Sequence, residues 1–526
     1  MNKKTKGCLE KFAWGLFIAG LLALTACAPS APGTPVITNF TPEKGAVGVE
    51  VAIEGKNFKS VPEENTVKFA GAPVAQGDIT YASETAIKVR VPSGAATGPI
   101  SVTNSNGSGN SAKNFIVEPN EGKWTFMVYL DADNNLESAG IKDFNEMAGV
   151  DSSPQVNILV QMDRIPGFDN SYGDWTGTKR FLVKKGADPA TAPLQDMGEQ
   201  NMGDPKVLQN FVEWGISNYP AQHYALVIWN HGNGWRKRMG KLADEVIAAK
   251  ARGGAGSGPV KAVASDDTDD DILYMKEVQQ ALEDAGKSLN DRGIGFTKLD
   301  IVGFDACLMG MVEVAYSLRN VAGYVVGSEY FEPNDGWPYD TILSKLNAAP
   351  STDPKALCKV IVTDYVASYS SDEAVTQSAV DISKLENLVA KINGFTMKAT
   401  GEWANIKAAR AAALAYHDPG YPKLFWGTDL WDFADRVQGL VASADIKTAA
   451  NDLKVAIGEF VIAEGHYEAM DGSHGAAIYF PPNKTAFNND PYHSGYEESN
   501  TFMPVDFVRF SKWDNWLIDQ YYVNIP

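Results

Sequence analysis

The sequence predicts an α/β protein with a mainly parallel sheet covered by helices on both faces. Three observations carry this. Residues 124–130, 156–160, 224–229, 299–304 and 324–326 are short, nearly continuous apolar runs, the pattern of strands buried on both faces. Helical signals lie between them. Asp204-Pro205 supplies an N-cap and a first-turn proline, and residues 274–289 place Met275, Val278, Ala281 and Leu282 at helical spacing. Ahead of all this, residues 35–118 alternate polar and apolar positions with period two, as in Val49, Val51 and Ile53, between Gly, Pro and Asn turns. That is the pattern of a separate β-sandwich.

Composition bounds the function classes. The chain has 526 residues and a formal net charge of −19, which argues against a phosphate-neutralising nucleic-acid binder and suits cationic substrates. Of four cysteines, Cys8 and Cys27 fall in the amino-terminal segment, leaving Cys307 and Cys358 for the body. That number excludes a disulfide framework, and no Cys/His cluster has zinc spacing.

The amino terminus reads as an address. Lys3, Lys4, Lys6 and Lys11 precede an uncharged, almost wholly apolar stretch, 12–24, too short for a transmembrane helix and suited to a signal peptide. It ends in Leu24-Thr25-Ala26-Cys27, which resembles a bacterial lipobox and makes Cys27 the lipidation candidate. The expected organisation is a signal peptide over 1–26, a Pro/Ala/Ser/Gly tether over 27–34 and the β-sandwich over 35–118. A catalytic domain over 123–352 and an α+β subdomain with tail over 353–526 follow. The expected location is the bacterial cell envelope, outside the cytoplasm, with the chain monomeric.

Chemistry should collect where parallel strands stop. Residues 225–230 run into His231-Gly232, and 299–304 run into Asp305-Ala306-Cys307, so one sheet edge should carry an imidazole and a thiol. An imidazole or a helix N-terminus favours a thiolate, and residues 308–318 look helical. The N–H groups of Gly232 and Cys307 could receive an oxyanion. No acidic third member of a triad is evident. Taken singly, a cysteine is more often a small buried hydrophobe and a histidine after a strand a loop residue; their joint placement favours a catalytic dyad.

The segments 128–137, Trp229-Asn230-His231-Gly232, Asp266-Asp267-Thr268, 304–309, Glu329 with Gly336-Trp337-Pro338-Tyr339, and 476–481 together resemble the clostripain family of caspase-like cysteine peptidases. Residues 37–42 with Gly45, Gly48 and Gly55-Lys56-Asn57-Phe58 resemble an IPT/TIG domain, read as a spacer or adhesive module. The resemblance implies a caspase-like sheet, peptide hydrolysis after Arg or Lys, calcium dependence in some members and activation by internal cleavage. It makes Asp305 a carboxylate of the pocket for a basic side chain, with Asp335 a weaker candidate and a helix N-cap the competing role for Asp305. No cofactor is required for the chemistry. Calcium is possible with its ligands unknown, since Asp266, Asp267, Asp269, Asp270 and Asp271 lack the EF-hand pattern. The interval after His231 is basic and then glycine-rich, which makes Lys250, Arg252 and Lys261 self-processing candidates. The alternative is a surface-anchored binding protein with a caspase-like scaffold.

Overall fold

The structure is a computed structural model that describes residues 33–92, 94–117, 122–236, 264–417, 426–499 and 505–525. Cys27 and the processing candidates Lys250, Arg252 and Lys261 lie outside the described residues. The chain divides into two compact units, Met1–Glu118 and Pro119–Pro526.

The first unit is a β-sandwich. One sheet pairs Val36–Thr41, Glu50–Lys56, Ala86–Arg90 and Ile79–Ala82 in that order, and the other is built on Thr66–Phe69, Gly98–Asn104 and Gly107–Val117. The alternating residues do what their period demands. Val51, Ile53, Val67, Phe69, Ile87 and Val89 are fully buried between the sheets while their neighbours face water.

The second unit is organised by one nine-stranded sheet. In chain order its strands are β1 (Gly122–Ala132), β2 (Val156–Arg164), β3 (Thr178–Leu182), β4 (Gln195–Gly198) and β5 (Ala221–Trp229). They continue with β6 (Leu299–Asp305), β7 (Ala322–Gly327), β8 (Thr376–Asp381) and β9 (Val461–His466). The spatial order is β4-β3-β2-β1-β5-β6-β7-β8-β9. The five strands legible as apolar runs, β2-β1-β5-β6-β7, are mutually parallel, and the added outer strands are antiparallel.

Helices cover both faces, so the strands are apolar on both sides. Helices α1 (Glu137–Val150), α5 (Tyr339–Ala348) and α6 (Pro354–Ser368) close one core around Phe126, Val128, Phe144 and Ile342. Helices α2 (Pro205–Asn218), α3 (Met275–Asp291) and α4 (Val312–Ser317) pack on the other, where α7 (Leu385–Lys398), α8 (Leu430–Leu440) and α9 (Ala444–Phe460) extend it. Asp204 caps α2 by accepting from Lys206 N, as its sequence position requires.

Two expectations are corrected here. The segment after 353 is not a body packed beside the sheet, because it supplies β8 and β9 to that sheet and belongs to the same compact unit. The helix expected from Leu308 begins only at Val312. Leu308 takes a left-handed φ of 64°, and Met311 bridges to Ala477, so the chain is pinned before it can coil.

Candidate active site

The carboxyl ends of β5 and β6 lie side by side, with Trp229 opposite Asp305. Each strand therefore delivers its following residues to the same edge. The contact is intimate: a Cβ on Gly232 would fall 2.0 Å from Cys307 O and 2.6 Å from Cys307 N. Only glycine allows that approach. Asn230 fixes the turn from within. Its amide donates to Asp131 O and Oδ2, both at 2.8 Å, and its Oδ1 accepts the N–H of His231.

The expected dyad is thus brought to one cleft, lined by His231, Cys307, Asp305, Glu332 and Gly336 among others. A much larger cavity, about 600 Å³, opens at the starts of β5, β6 and β7 near Ala221, Asp300 and Gly323, at the opposite edge from these groups. Chemistry, not size, singles out the smaller cleft.

No third member for the pair is evident in the sequence. The structure supplies an amide: His231 Nε2 lies 3.0 Å from Asn135 Oδ1, in the turn before α1. An accepting Oδ1 keeps the ring proton on Nε2 and leaves Nδ1 as the basic nitrogen. The signal was the Asp133-Asn134-Asn135 stretch at the end of β1, a neighbour of β5 that stops at the same edge.

Cys307 is half-buried. Its Sγ receives the Glu332 N–H at 3.3 Å and lies 3.8 Å from Glu332 O. Burial, followed by the Glu332 carboxylate, pushes the thiol up to about 12. The depressed value expected from a helix N-terminus is not realised, because no helix starts at Cys307.

Beneath Cys307 sits a set of buried carboxyl groups. Asp305 Oδ2 accepts from Tyr339 Oη at 2.9 Å and Trp337 N at 3.2 Å. It caps no helix, so the N-cap role is excluded. Burial raises Asp305 to about 6, opposed by a hydrogen bond with Glu332. Burial, and Asp305 after it, push Glu332 well above the usual carboxylate range. Asp335 lies apart. Its side chain is 74% exposed and pairs with Lys142 at 2.8 Å.

Acidic residues also gather beyond β1 and β2. Asp133, Asp163 and Glu199 bring carboxylate oxygens within 4.8 Å of one another, as do Glu199, Asp266 and Asp269. Burial foremost, then neighbouring carboxylates, raises Glu199 to about 7. Burial likewise raises Asp266 to about 6. These hard oxygen donors fit a calcium ion. The acidic run seen in sequence is divided by its hairpin: Asp266 and Asp269 turn to the cluster, while Asp271 accepts from Asn201 at 2.8 Å. The contribution of Asp133, Asp163 and Glu199 had no signal in sequence, because three separate segments supply them.

The sequence model of the clostripain family matches residues 128–520, and that of the IPT/TIG domain matches 35–117. Clostripain of Hathewaya histolytica is 30% identical over 250 residues, which span 44% of this chain and 43% of that protein. The match thus covers less than half the length of that relative. A secreted C11 cysteine protease from Bacteroides thetaiotaomicron, solved with an irreversible peptide inhibitor, is 23% identical with a TM-score of 0.53. That similarity covers 74% of this chain and 99% of the other. An inactive zymogen C11 protease from Parabacteroides distasonis is 20% identical with a TM-score of 0.50, over 77% and 98% of the two chains. At these identities the solved structures speak for the fold. The family match covers most of the chain, including both cleft strands, and on it the chain belongs to the clostripain family of cysteine peptidases, with an IPT/TIG domain ahead of the family region.

Proposed function

We propose that the protein is an endopeptidase that hydrolyses peptide bonds after Arg or Lys. The observation that carries this is the contact of the Gly232 backbone with Cys307 in a cleft that also holds the buried Asp305 and the half-buried Glu332. His231 Nδ1 takes the thiol proton as Sγ attacks the scissile carbonyl, forming a C–S bond. The N–H groups of Gly232 and Cys307 receive the oxyanion. His231 then returns the proton to the leaving amine as the C–N bond breaks, and water hydrolyses the thioester to free Sγ. Asp305 faces the basic side chain of the residue before that bond. Asn135 orients His231 without carrying charge.

Several further parts belong to the same reading. The chain matures by cutting itself after Lys250, Arg252 or Lys261, a proposal supported by the composition of that interval and by the relative described as an inactive zymogen. It is anchored outside the cytoplasm through Cys27, supported by the Leu24-Thr25-Ala26-Cys27 pattern and by a relative described as secreted. Among the described residues no helix is long and apolar enough to cross a membrane. Calcium, where bound, would be held by Asp133, Asp163, Glu199, Asp266 and Asp269 and would stabilise the loops beyond β1 and β2. The substrates are peptides and proteins with basic residues.

The test is hydrolysis of matched peptides carrying Arg, Lys or a neutral residue before the scissile bond, by the wild type and by Cys307→Ala. Cleavage after Arg and Lys by the wild type alone is expected. Binding of such peptides without cleavage by either protein would instead mark a binding scaffold.

A further inference from the structure

The pocket under Cys307 contains more carboxyl groups than Asp305 needs. Asp143, on α1, is fully buried. Its Oδ2 accepts the Trp229 indole N–H at 2.7 Å, and its Oδ1 is buried with no hydrogen-bond partner. A buried carboxylate oxygen left unsatisfied carries a free-energy penalty and calls for a ligand. Gly336 lets Asp143 approach Asp305. With φ at +60° and no Cβ, it lets three oxygens converge: a Cβ there would lie 3.1 Å from Asp143 Oδ2 and 3.1 Å from both oxygens of Asp305. Gly336 itself lines the cleft, and so does Ala139, one turn before Asp143 on the same side of α1.

Among the described residues no cation forms an ion pair with Asp143, Asp305 or Glu332. Lys142, whose charge acts on both Asp143 and Asp305, is itself engaged with Asp335 at 2.8 Å and Glu146 at 3.8 Å. Glu332 leaves Oε2 unsatisfied as well. Burial, and Asp305 after it, push Asp143 well above the ordinary carboxylate range, as expected where carboxyl groups crowd without an ion pair.

We infer that Asp143 is a second specificity-determining carboxylate, which with Asp305 clamps a guanidinium from two sides and makes the pocket select arginine over lysine. The inference rests on the proposed basic specificity and goes beyond it. Two carboxylates approaching from different elements, β6 and α1, can each take an edge of a planar fork that has five donors. An ammonium is a point charge and gains less from the second one.

The experiment compares cleavage of peptides differing only in the residue before the scissile bond: arginine, lysine, and citrulline, which has arginine's shape without its charge. Asp143→Asn keeps an oxygen for the Trp229 N–H and removes the charge. For the variant, kcat/KM on arginine peptides should fall about 10- to 100-fold, with much smaller losses on lysine and almost none on citrulline. An equal loss on all three peptides would make Asp143 a prop for Trp229 and overturn the inference, and no loss would overturn it too. Failure of the basic-specificity reading looks different, since the wild type would then cleave citrulline peptides as well as arginine peptides. If Asp143→Asn does not fold, the wild type still decides. A pocket clamping both edges should reject ω-monomethylarginine about tenfold or more relative to arginine. Equal cleavage of the two would mean one carboxylate suffices.

Discussion

Burial pushes the thiol of Cys307 up to about 12, so in the proposed mechanism its proton leaves as Sγ attacks. In that mechanism His231 takes the proton. Cys307→Ala should abolish peptide hydrolysis, and His231→Ala should lower kcat by about three orders of magnitude or more, with unchanged circular dichroism. Asn135→Ala frees the ring without removing it and should cost roughly tenfold in kcat with little change in KM. Asp305 makes a second, opposite prediction. Its folded value is raised to about 6, so in the window from about 4 to about 6 the folded chain binds a proton that the unfolded chain releases. That group therefore favours the fold at low pH and opposes it once pH rises through 6. Asp305→Asn should raise thermal stability at neutral pH, by on the order of 1–3 kcal/mol, while lowering hydrolysis after Arg and Lys more than hydrolysis after a neutral residue. A melting temperature that falls, with equal activity losses on all substrates, would contradict both halves. His231, Gly232, Asp305 and Cys307 were legible because each follows directly on an apolar strand. Asp143 and Glu332 were not, since each comes from a segment whose packing the sequence does not announce, while Asn135 left only the signal of the polar stretch that ends β1.

At the scale of elements, the site depends on two parallel strands ending in register. Gly232 is where their loops touch. Gly232→Ala would place a methyl about 2.0 Å from Cys307 O, closer than any real contact, so the backbone must shift. Activity should vanish, with destabilisation of about 1–3 kcal/mol measurable by urea titration. An active, stable variant would show that the two loops are looser than this contact implies. The five parallel strands were readable because burial on both faces leaves unbroken apolar runs. The outer strands β3, β4, β8 and β9 were not, since they are polar or half-exposed: Gln195–Gly198 has no buried residue and Val461–His466 is intermediate throughout. The helix expected after Cys307 fails for a local reason. Propensity favours coiling from Leu308, but the Leu308 N–H bond to Tyr330 O at 3.0 Å and the Gly310 N–H bond to Ser328 O at 2.7 Å hold that stretch to its neighbours.

For the whole molecule, the two compact units make a separable assignment. The cleft is built wholly within Pro119–Pro526, so deletion of the IPT/TIG unit should leave kcat/KM on small peptides within about twofold. The acidic cluster beyond β1 and β2 joins β1, β2 and the Ala264–Asp266 hairpin strand. Added calcium should raise the melting temperature, and Asp163→Asn should remove that increment. Identical melting curves with and without calcium would dismiss the ion. The central claim, a nucleophile at Cys307 served by a basic-side-chain pocket, is tested most directly by covalent capture. The protein is treated with an irreversible peptide electrophile carrying arginine, and with its citrulline counterpart, and the modified residue is mapped by mass spectrometry. The account predicts stoichiometric modification of Cys307 by the arginine reagent, at least tenfold faster than by citrulline, and none in His231→Ala on the same timescale. Modification of Cys358 instead, or equal rates for the two reagents at Cys307, would contradict it.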